Sequence, residues 1–274
     1  MQGLERTALF VFLILSAASA FFYLLYCLLK KEMLGKIGLT LFSLGFLSGA
    51  ASMVERAIQA GRPPLTTLYE VLIFTSLGIA FCFILVQIRR RMALLGIFVA
   101  PVILFLLLFA LSRPAEIRPL LPALKSPWLL WHVGLAILSY GAFAVAFGVG
   151  LLYLWREAAE RKGNPLLKNL PDLEFLDSLG YRCISLGLPL LTLVIVSGAV
   201  WAQQAFGQYW QWDPKETWSL IAFLVYAGYL HARLAMRSKP RLSAFLAVLG
   251  FLVVIFCFLG VNLLMSGHHS EMAR

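Results

Sequence analysis

Eight long apolar runs occupy most of this chain and restrict the folds that it can adopt. They lie at about 8–29, 34–53, 65–88, 93–111, 128–155, 182–203, 217–236 and 243–265. A helix needs roughly 20 mostly apolar residues to cross a bilayer. Because the runs are unbroken rather than alternating, they predict helices and not barrel strands. The sequence therefore predicts an all-α integral membrane protein, a bundle of about eight transmembrane helices.

The composition agrees with this fold class. Of the 274 residues, 61% are hydrophobic and only 13% are charged, whereas soluble globular chains carry about 25% charged residues. The net charge of +10 raises the question of a nucleic-acid partner. The basic residues, however, stand in short clusters between apolar runs, as in membrane proteins. We expect no nucleic-acid binding and a single membrane domain over residues 1–274, surrounded by membrane lipid.

The distribution of positive charge predicts the orientation of the helices. With the N-terminus outside, most of the 23 lysines and arginines fall on cytoplasmic connections, among them the run Arg89-Arg90-Arg91. Because cytoplasmic loops carry an excess of Lys and Arg, we expect an N-out/C-out arrangement. We expect the longest cytoplasmic segment, 156–181, to be a solvated connector. The outer segment 112–127 contains four prolines and predicts an irregular cover.

Histidine is scarce, and the predicted topology divides the four residues unevenly. His132 lies near the outer end of the fifth run, and His268 and His269 follow the eighth run on the same side. His231 lies near the cytoplasmic end of the seventh run. Polar groups at membrane depth are costly and indicate a function. A single interfacial histidine, however, also serves simply to cap a helix or to meet lipid headgroups.

Neutral imidazole is a good ligand for iron, which makes these histidines candidate haem ligands. If the fifth and eighth runs pack beside the predicted outer loop at residues 201–218, His132 and His269 approach the iron from opposite faces of the haem ring. His231 lies 13 residues beyond Trp218, roughly 20 Å along a helix. It therefore needs a separate site, with a second ligand from another subunit.

Tryptophan is concentrated in one predicted outer loop, residues 201–218. Four of the seven tryptophans stand in WAQQAFGQYWQWDPKETW, namely Trp201, Trp210, Trp212 and Trp218. An aromatic belt at headgroup level explains Trp201 and Trp218, at the ends of apolar runs. It explains Trp210 and Trp212 poorly, because they stand in mid-loop. The loop therefore predicts an aromatic platform on which a flat porphyrin stacks.

The end of this loop also has a structural interpretation. The segment Asp213-Pro214-Lys215-Glu216 has the pattern of a capping box, with Asp at the N-cap, Pro at the first helical position and Glu at N3. We therefore expect Asp213 and Glu216 first of all to begin the seventh helix. Lys215 is freer, and as a point charge it suits a haem propionate.

Several segments together resemble a known family. The stretch from Leu176 to Arg233, WHVGLAILSY around His132, PLTTLYEVL around Glu70 and GVNLLMSGHHS near the end are similar to the WWD-type haem-handling proteins of cytochrome c biogenesis. The CcsA/ResC branch of the system II pathway is the most similar. The resemblance begins at about residue 64, and the first two runs add little to it.

The resemblance implies specific roles for the histidines. His132 and His269 match the family's two outer haem ligands, and His269 aligns because it directly precedes Ser270. His268 offers an alternative ligand one residue away. His231 matches the family's transmembrane histidine, whose counterpart belongs to a partner subunit.

The resemblance also implies a function in cytochrome c maturation, as a holocytochrome c synthase of the haem lyase type acting with a ResB/CcsB-type partner. Haem b would be held on the outer side and joined through its vinyl groups to the CxxCH thiols of apocytochrome c, which a thiol-reducing pathway keeps reduced. The implied location is the bacterial inner membrane, or the thylakoid membrane for a plastid chain. The candidate haem contacts are His132, His231, His269, Trp201, Trp210, Trp212, Asp213, Lys215 and Trp218.

Three other functions stay open from the sequence. The first is a haem exporter that leaves ligation to another protein, and the second is a regulatory membrane protein of the same family. The third is a quinone-linked electron carrier, although no flavin or iron–sulfur motif accompanies the histidines. No acid–base pair or nucleophilic serine is evident, which favours assisted addition over hydrolysis.

Overall fold

A computed structural model describes residues 2–117, 119–162, 170–235 and 239–264. These residues are 86% helical and contain no strand, which confirms the all-α membrane fold class. The chain divides into two compact units, Met1–Pro119 and Leu120–Arg274. The expectation that residues 1–274 act as one membrane domain stays a prediction.

Each of the eight predicted runs corresponds to a long helix. In the first unit the helices are α1 Gln2–Leu29, α2 Glu32–Ala60, α3 Leu68–Arg90 and, after a 3-10 turn at Ala93–Leu95, α4 Gly96–Leu111. In the second unit they are α5 Pro127–Arg161, α6 Leu173–Phe206, α7 Pro214–Leu234 and α8 Pro240–Ile255. A π-helical segment, Phe256–Gly260, joins α8 to a last turn, α9, at Val261–Leu264.

Seven of these helices are long and apolar enough to cross a membrane, namely α1 to α6 and α8 with its extension. The chain is therefore a multi-pass membrane protein. Helix α7 has 21 residues, but Trp218, His231 and Arg233 lower its hydropathy. The count of eight spans and the N-out/C-out orientation stay predictions.

In the first unit, α1 and α2 pack closely because α2 presents glycines to aromatic rings of α1. A Cβ at Gly49 would lie 2.4 Å from Cδ1 of Phe12. A Cβ at Gly38 would lie 2.8 Å from Cε1 of Tyr23. Small residues at such contacts let helices approach each other in a membrane. Tyr23 continues the core through an edge-to-face contact with Phe83 of α3, at 5.7 Å between ring centroids.

A buried ion cluster closes the end of the first unit where α1 begins and α2 ends. Arg56 of α2, only 1% exposed, donates from Nε to Glu70 of α3 at 2.8 Å and from Nη1 to Glu5 of α1 at 3.1 Å. Arg62 adds a second cation, 3.2 Å from Oε2 of Glu70. The cluster therefore connects three helices through charges that compensate one another.

The core of the second unit is built around Phe143 of α5. A Cβ at Gly187 of α6 would lie 2.5 Å from Cε1 of this ring, so the glycine is needed for the contact. Phe143 also stacks on Tyr226 of α7, with ring centroids 3.7 Å apart and planes at 8°. Tyr226 in turn packs against Gly250 of α8. Four helices thus share one core, which supports the tryptophan-rich loop and the start of α5.

The connections are partly helical. In the predicted connector 156–181 most of the described residues are helical, because α5 continues through Arg161 and α6 begins at Leu173. Opposite charges spaced four residues apart support the last turns of α5. The described part of the outer segment before α5 is irregular, as predicted, except for a 3-10 helix at Pro122–Lys125.

Candidate functional site

His132 lies on the second turn of α5 and is oriented by α6. Its Nδ1 is 2.8 Å from the carbonyl oxygen of Val194. Because a carbonyl oxygen only accepts hydrogen bonds, Nδ1 carries the proton and donates it to Val194. The neutral ring then has its lone pair on Nε2, the nitrogen suited to ligate a metal. The backbone of a neighbouring helix therefore sets the tautomer of this histidine.

The His132 ring also rests on Gly198, one turn further along α6. A Cβ at Gly198 would lie 2.8 Å from both Cε1 and Nδ1 of the ring. Any larger residue there must displace the imidazole. Val194, Gly198 and Trp201 are spaced i, i+4 and i+7, so they share one face of α6. Trp201 thus lies about 4.5 Å along the helix from the glycine that holds His132.

Trp201 belongs to α6 and not to the irregular loop, because α6 continues through Phe206. Its side chain is only 3% exposed. The indole Nε1–H donates to the carbonyl of Ala123 at 2.9 Å. Nearby, Ser126 Oγ donates to Gln204 Oε1 at 2.7 Å. These two bonds tether the segment before α5, and hence the start of the helix that carries His132, to the end of α6.

The irregular part of the tryptophan-rich loop is 207–213. It begins at Gly207, the C-cap of α6 with φ of 81°, and ends at Asp213, the N-cap of α7. The predicted capping box is confirmed. Oδ1 of Asp213 accepts from the Lys215 N–H at 2.9 Å, and Oε2 of Glu216 accepts from the Asp213 N–H at 3.2 Å. Asp213 is buried in this cap, whereas Lys215 is partly exposed in the first turn of α7.

Glu216 does more than the capping box requires. Its Oε2 also accepts the backbone N–H of Gln211, at 2.8 Å, so one carboxylate holds the residues on both sides of Trp212. Trp212 has φ of 56°, in the left-handed region that bulky residues seldom adopt. Its side chain is 68% exposed. The two flanking hydrogen bonds therefore hold a strained backbone that directs the indole outward.

Two other tryptophans of the loop also make aromatic contacts. Trp210 contacts Trp212 edge-to-face, with ring centroids 5.7 Å apart. Trp218, in the first turns of α7, packs at 4.3 Å on Phe256 of the π-helical segment. Cys257 of the same segment donates from Sγ to the Lys215 carbonyl at 3.6 Å. Such π-helical turns are frequent at functional sites, and this one supports the start of α7 from beneath.

His231 lies far from the loop, in the last turn of α7, and its side chain is exposed. The 13 residues from Trp218 to His231 correspond to roughly 20 Å along the helix. Two residues on, Arg233 pairs with Asp177 of α6 and lies over the Tyr181 ring. Helix α7 is thus held against α6 at this end, while His231 is accessible from outside the unit.

The structure does not place every predicted ligand. His268 and His269 lie outside the described residues, so the second outer ligand stays a prediction. Within the described ranges, no group of three or more His, Cys, Asp and Glu residues is arranged to hold a metal ion. His132 and His231 are therefore single ligand candidates at opposite ends of the second unit.

Sequence reasoning missed three residues that shape the site. Val194 and Gly198 orient His132, and the only feature of the sequence that could have pointed to them is a glycine within an apolar run. Glu216 was assigned to the helix cap alone. Its position five residues after Gln211 gave no indication that it also fixes the loop backbone around Trp212.

Comparison with known proteins gives a consistent result. The family model described as "Cytochrome C assembly protein" matches residues 65–269. The cytochrome c biogenesis protein CcsA of Guillardia theta is 43% identical over 236 residues, which cover 78% of each chain. The CcsA protein of Gloeothece citriformis is 38% identical over 271 residues, covering 81% of this chain and 83% of the relative.

A solved structure shares the fold. The cytochrome c haem lyase CcmF superposes with a TM-score of 0.70 at 16% sequence identity. The match covers 98% of this chain and 53% of CcmF, so this chain spans about half the length of that protein. At this identity the similarity shows a shared architecture and no more.

Proposed function

The chain belongs to the CcsA-type cytochrome c assembly proteins, which act in cytochrome c maturation, and we propose that its second unit holds haem for attachment to apocytochrome c. In this proposal haem is a substrate that rests on the tryptophan-rich loop, with His132 as one axial ligand and His269 as the other. The attachment is a synthase activity of the complex with a ResB/CcsB-type partner. The membrane is the bacterial inner membrane, or the thylakoid membrane for a plastid chain.

The observation that carries the proposal is the hydrogen bond from His132 Nδ1–H to the Val194 carbonyl. A histidine that ligates a metal typically donates its other ring N–H to a carbonyl or carboxylate, which fixes the ring and raises its basicity. The same contact makes Nε2 the ring nitrogen that carries the lone pair, which is the form of histidine that ligates iron. A histidine that merely caps a helix or meets headgroups has no need of this arrangement.

The loop supplies the surface for the porphyrin. Trp212 directs its indole outward, Trp210 contacts it edge-to-face, and Trp218 adds a further indole in the first turns of α7. Indole rings offer a large stacking area to a flat macrocycle. The partly exposed Lys215 is suited to meet a propionate as a point charge. Trp201, which tethers the segment before α5, and Asp213, which caps α7, support the site as its scaffold.

The proposed reaction requires little acid–base catalysis from this chain. Each CxxCH thiol adds across a haem vinyl group, so that sulfur bonds to one vinyl carbon and the proton goes to the other. No electrons are gained or lost overall, and no group leaves. The thiolate is the better nucleophile, which is why the thiol-reducing pathway must deliver reduced cysteines. The task left to the chain is positioning, which can supply several kcal/mol of a barrier.

We assign His231 to a second haem position. Its exposed side chain at the far end of α7 supports a site shared with the partner subunit, which would supply the opposite ligand. Haem b reaching this position would afterwards move to the outer loop. The exposure of His231 also fits a haem exporter that leaves ligation to another protein, so the two functions need an experiment that separates them.

The first experiment compares haem spectra of the detergent-purified chain, expressed with and without a ResB/CcsB-type partner. The variants are His132→Ala, His269→Ala and His231→Ala, with His268→Ala as the matched control next to the predicted ligand. We expect haem to copurify, His132→Ala and His269→Ala to change its spectrum or occupancy, and His268→Ala to leave both unchanged. Haem that persists unchanged in the two outer variants, but is lost in His231→Ala, would contradict the outer site.

A second experiment separates synthase from exporter. The purified complex is supplied with haem and a reduced CxxCH-containing apocytochrome c, and thioether-linked haem is measured after denaturation. We expect covalent haem with the wild-type complex and little with His132→Ala. Haem bound at His231 without covalent product, when every component is present, would support the exporter instead.

A further inference from the structure

A groove of about 600 Å³ lies between the end of α5 and the start of α8, away from the tryptophan-rich loop. Its walls divide into an apolar floor and a basic rim. The floor consists of Leu154, Ala158, Leu242 and Phe245. Neither the outer haem site nor His231 accounts for such a surface.

The rim carries an excess of positive charge. Its cations are Arg161 at the end of α5 and Lys239 and Arg241 at the start of α8. The single carboxylate of Glu157 lies 3.1 Å from Arg161 and 3.4 Å from Arg241, so it aligns the two guanidinium groups without neutralising the rim. The side chains of both arginines are about three-fifths exposed and accessible to a ligand.

The start of α8 adds to the attraction for an anion. Lys239 is the N-cap of α8, and its side chain makes no capping hydrogen bond in the described structure. Pro240 has no N–H, and the Leu242 N–H donates to the Lys239 carbonyl at 2.9 Å, so the contribution of this helix end is the partial positive charge of its dipole. Here that helix end opens on the same groove as the three cations, so two independent features favour a negative group at one place.

The position of the groove along the helices matches a membrane boundary. Helix α5 has 35 residues, more than the roughly 20 needed to cross the hydrocarbon core, and its charged last turns form the rim. Leu154 lies seven residues before Arg161, about 10 Å deeper along the helix. Trp155 stands at the same depth, where interfacial tryptophans are common. Phe245, more than half exposed, continues the floor along α8.

We propose that this groove binds an anionic phospholipid, with the headgroup phosphate at the Arg161–Lys239–Arg241 rim and an acyl chain along the apolar floor. Basic pockets between transmembrane helices are suited to anionic headgroups, and each nearby cation contributes to the attraction. A phospholipid satisfies the rim and the floor together. A soluble anion would leave the floor exposed, and a neutral lipid would leave the rim unpaired.

The test uses the full chain, purified in detergent and titrated with phosphatidylglycerol or with phosphatidylcholine of the same acyl chains. Bound lipid is counted by native mass spectrometry. We expect preferential binding of phosphatidylglycerol, and an affinity about 25-fold weaker in Lys239→Gln/Arg241→Gln, since each cation near the surface contributes about fivefold. The matched control is Arg89→Gln/Arg90→Gln, which removes two exposed cations at the end of α3 and should leave the affinity unchanged.

A third variant should strengthen lipid binding rather than weaken it. Glu157→Gln removes the only carboxylate of the groove lining, so it should raise the affinity for phosphatidylglycerol by up to about fivefold. Because misfolding does not strengthen binding, this gain tests the proposal even if the double variant fails to fold.

Three results would overturn the proposal. The first is equal binding of the two lipids by the wild-type chain. The second is an equal loss of affinity in the groove and control double variants. The third is a groove variant that binds phosphatidylglycerol normally but copurifies with less haem, which would assign the rim to haem propionates instead.

Discussion

The two units of this chain both carry polar groups near the end of their helices, but they surround those groups differently. In the first unit, the Arg56–Glu5–Glu70 cluster is almost completely buried, and its members pair with one another. In the second unit, His132 is fixed through Nδ1, and the backbone on both sides of Trp212 is held, while the Trp212 indole is exposed. Complete pairing is typical of a structural role, whereas a side chain that is held in place and yet exposed, as Trp212 is, is what the proposed haem platform requires.

The buried cluster is paired in detail. Nη1 of Arg56 also donates to the Ala115 carbonyl at 2.9 Å. Glu70 is the N3 residue of the capping box of α3 and accepts from the backbone N–H groups of Thr66 and Thr67 at 2.9 and 3.2 Å. The resemblance to known proteins around Glu70 therefore has a structural explanation. This glutamate joins the start of α3 to α2 and, through Arg56, to α1.

The largest effect is expected from Arg56→Leu. It leaves the carboxylate of Glu5 buried without this counter-charge and deprives Glu70 of one of its two cations. Removing one partner of a buried ion pair costs roughly 3–5 kcal/mol. Thermal unfolding in detergent should show this loss of stability, with the fraction of the chain that stays monodisperse as the readout. Arg89→Gln, at an exposed arginine of α3, is the control and should change the stability by no more than about 0.5 kcal/mol.

The same variant tests the comparison between the units. If the cluster has only a structural role, the haem bound per folded molecule should be the same in Arg56→Leu as in the wild type. A variant that stays fully stable but loses haem would show that the buried charges act in binding, and the contrast between the units would fail.

A smaller effect is expected from Gly198→Ala in the second unit. The added Cβ would lie 2.8 Å from two atoms of the His132 ring, so the imidazole must move away from Val194. Overpacking of this kind costs about 1–3 kcal/mol. The haem spectrum should shift, because the ligand changes its orientation and its hydrogen bond. Gly134→Ala, on α5 with no heavy atom within 4 Å of the added Cβ, should leave the spectrum unchanged.

Features that depend on residues close together along the chain could be predicted well from the sequence. The apolar runs located the long helices, and the spacing of Asp213 and Glu216 predicted the confirmed capping box. The contacts that orient the site are distant in sequence. His132 and Val194 are separated by 62 residues, and Trp201 and Ala123 by 78. A pattern of residue types carries no information on which carbonyl a distant side chain meets, so these partners required the structure.

Glu216→Ala should cost about 1 kcal/mol of stability, because it removes one half of the capping box of α7. It also releases the backbone of Gln211 and Asp213, so the haem affinity should fall together with the stability. Glu216→Gln keeps an acceptor oxygen and should retain most of both. Glu174→Ala, in the exposed first turn of α6, is the control for a lost helix-end charge. Equal haem affinity in Glu216→Ala and the wild type would contradict the role assigned to this carboxylate.

The smallest change in stability, with a clear change in binding, is expected from Trp212→Gly. Glycine adopts a φ of 56° without steric cost, so the substitution relieves about 1–2 kcal/mol of backbone strain. It also removes the edge-to-face contact with Trp210, worth about 0.5–1.5 kcal/mol. The two effects oppose each other, and the stability should stay within about 1 kcal/mol of the wild type.

Haem affinity of Trp212→Gly should fall several-fold, because the exposed stacking surface is lost. Trp155→Ala, at the other end of α5, should leave haem binding intact. If Trp212→Gly stabilised the chain and bound haem normally, the strained backbone would have no role in presenting the indole, and the loop would be a membrane-interface element rather than a platform.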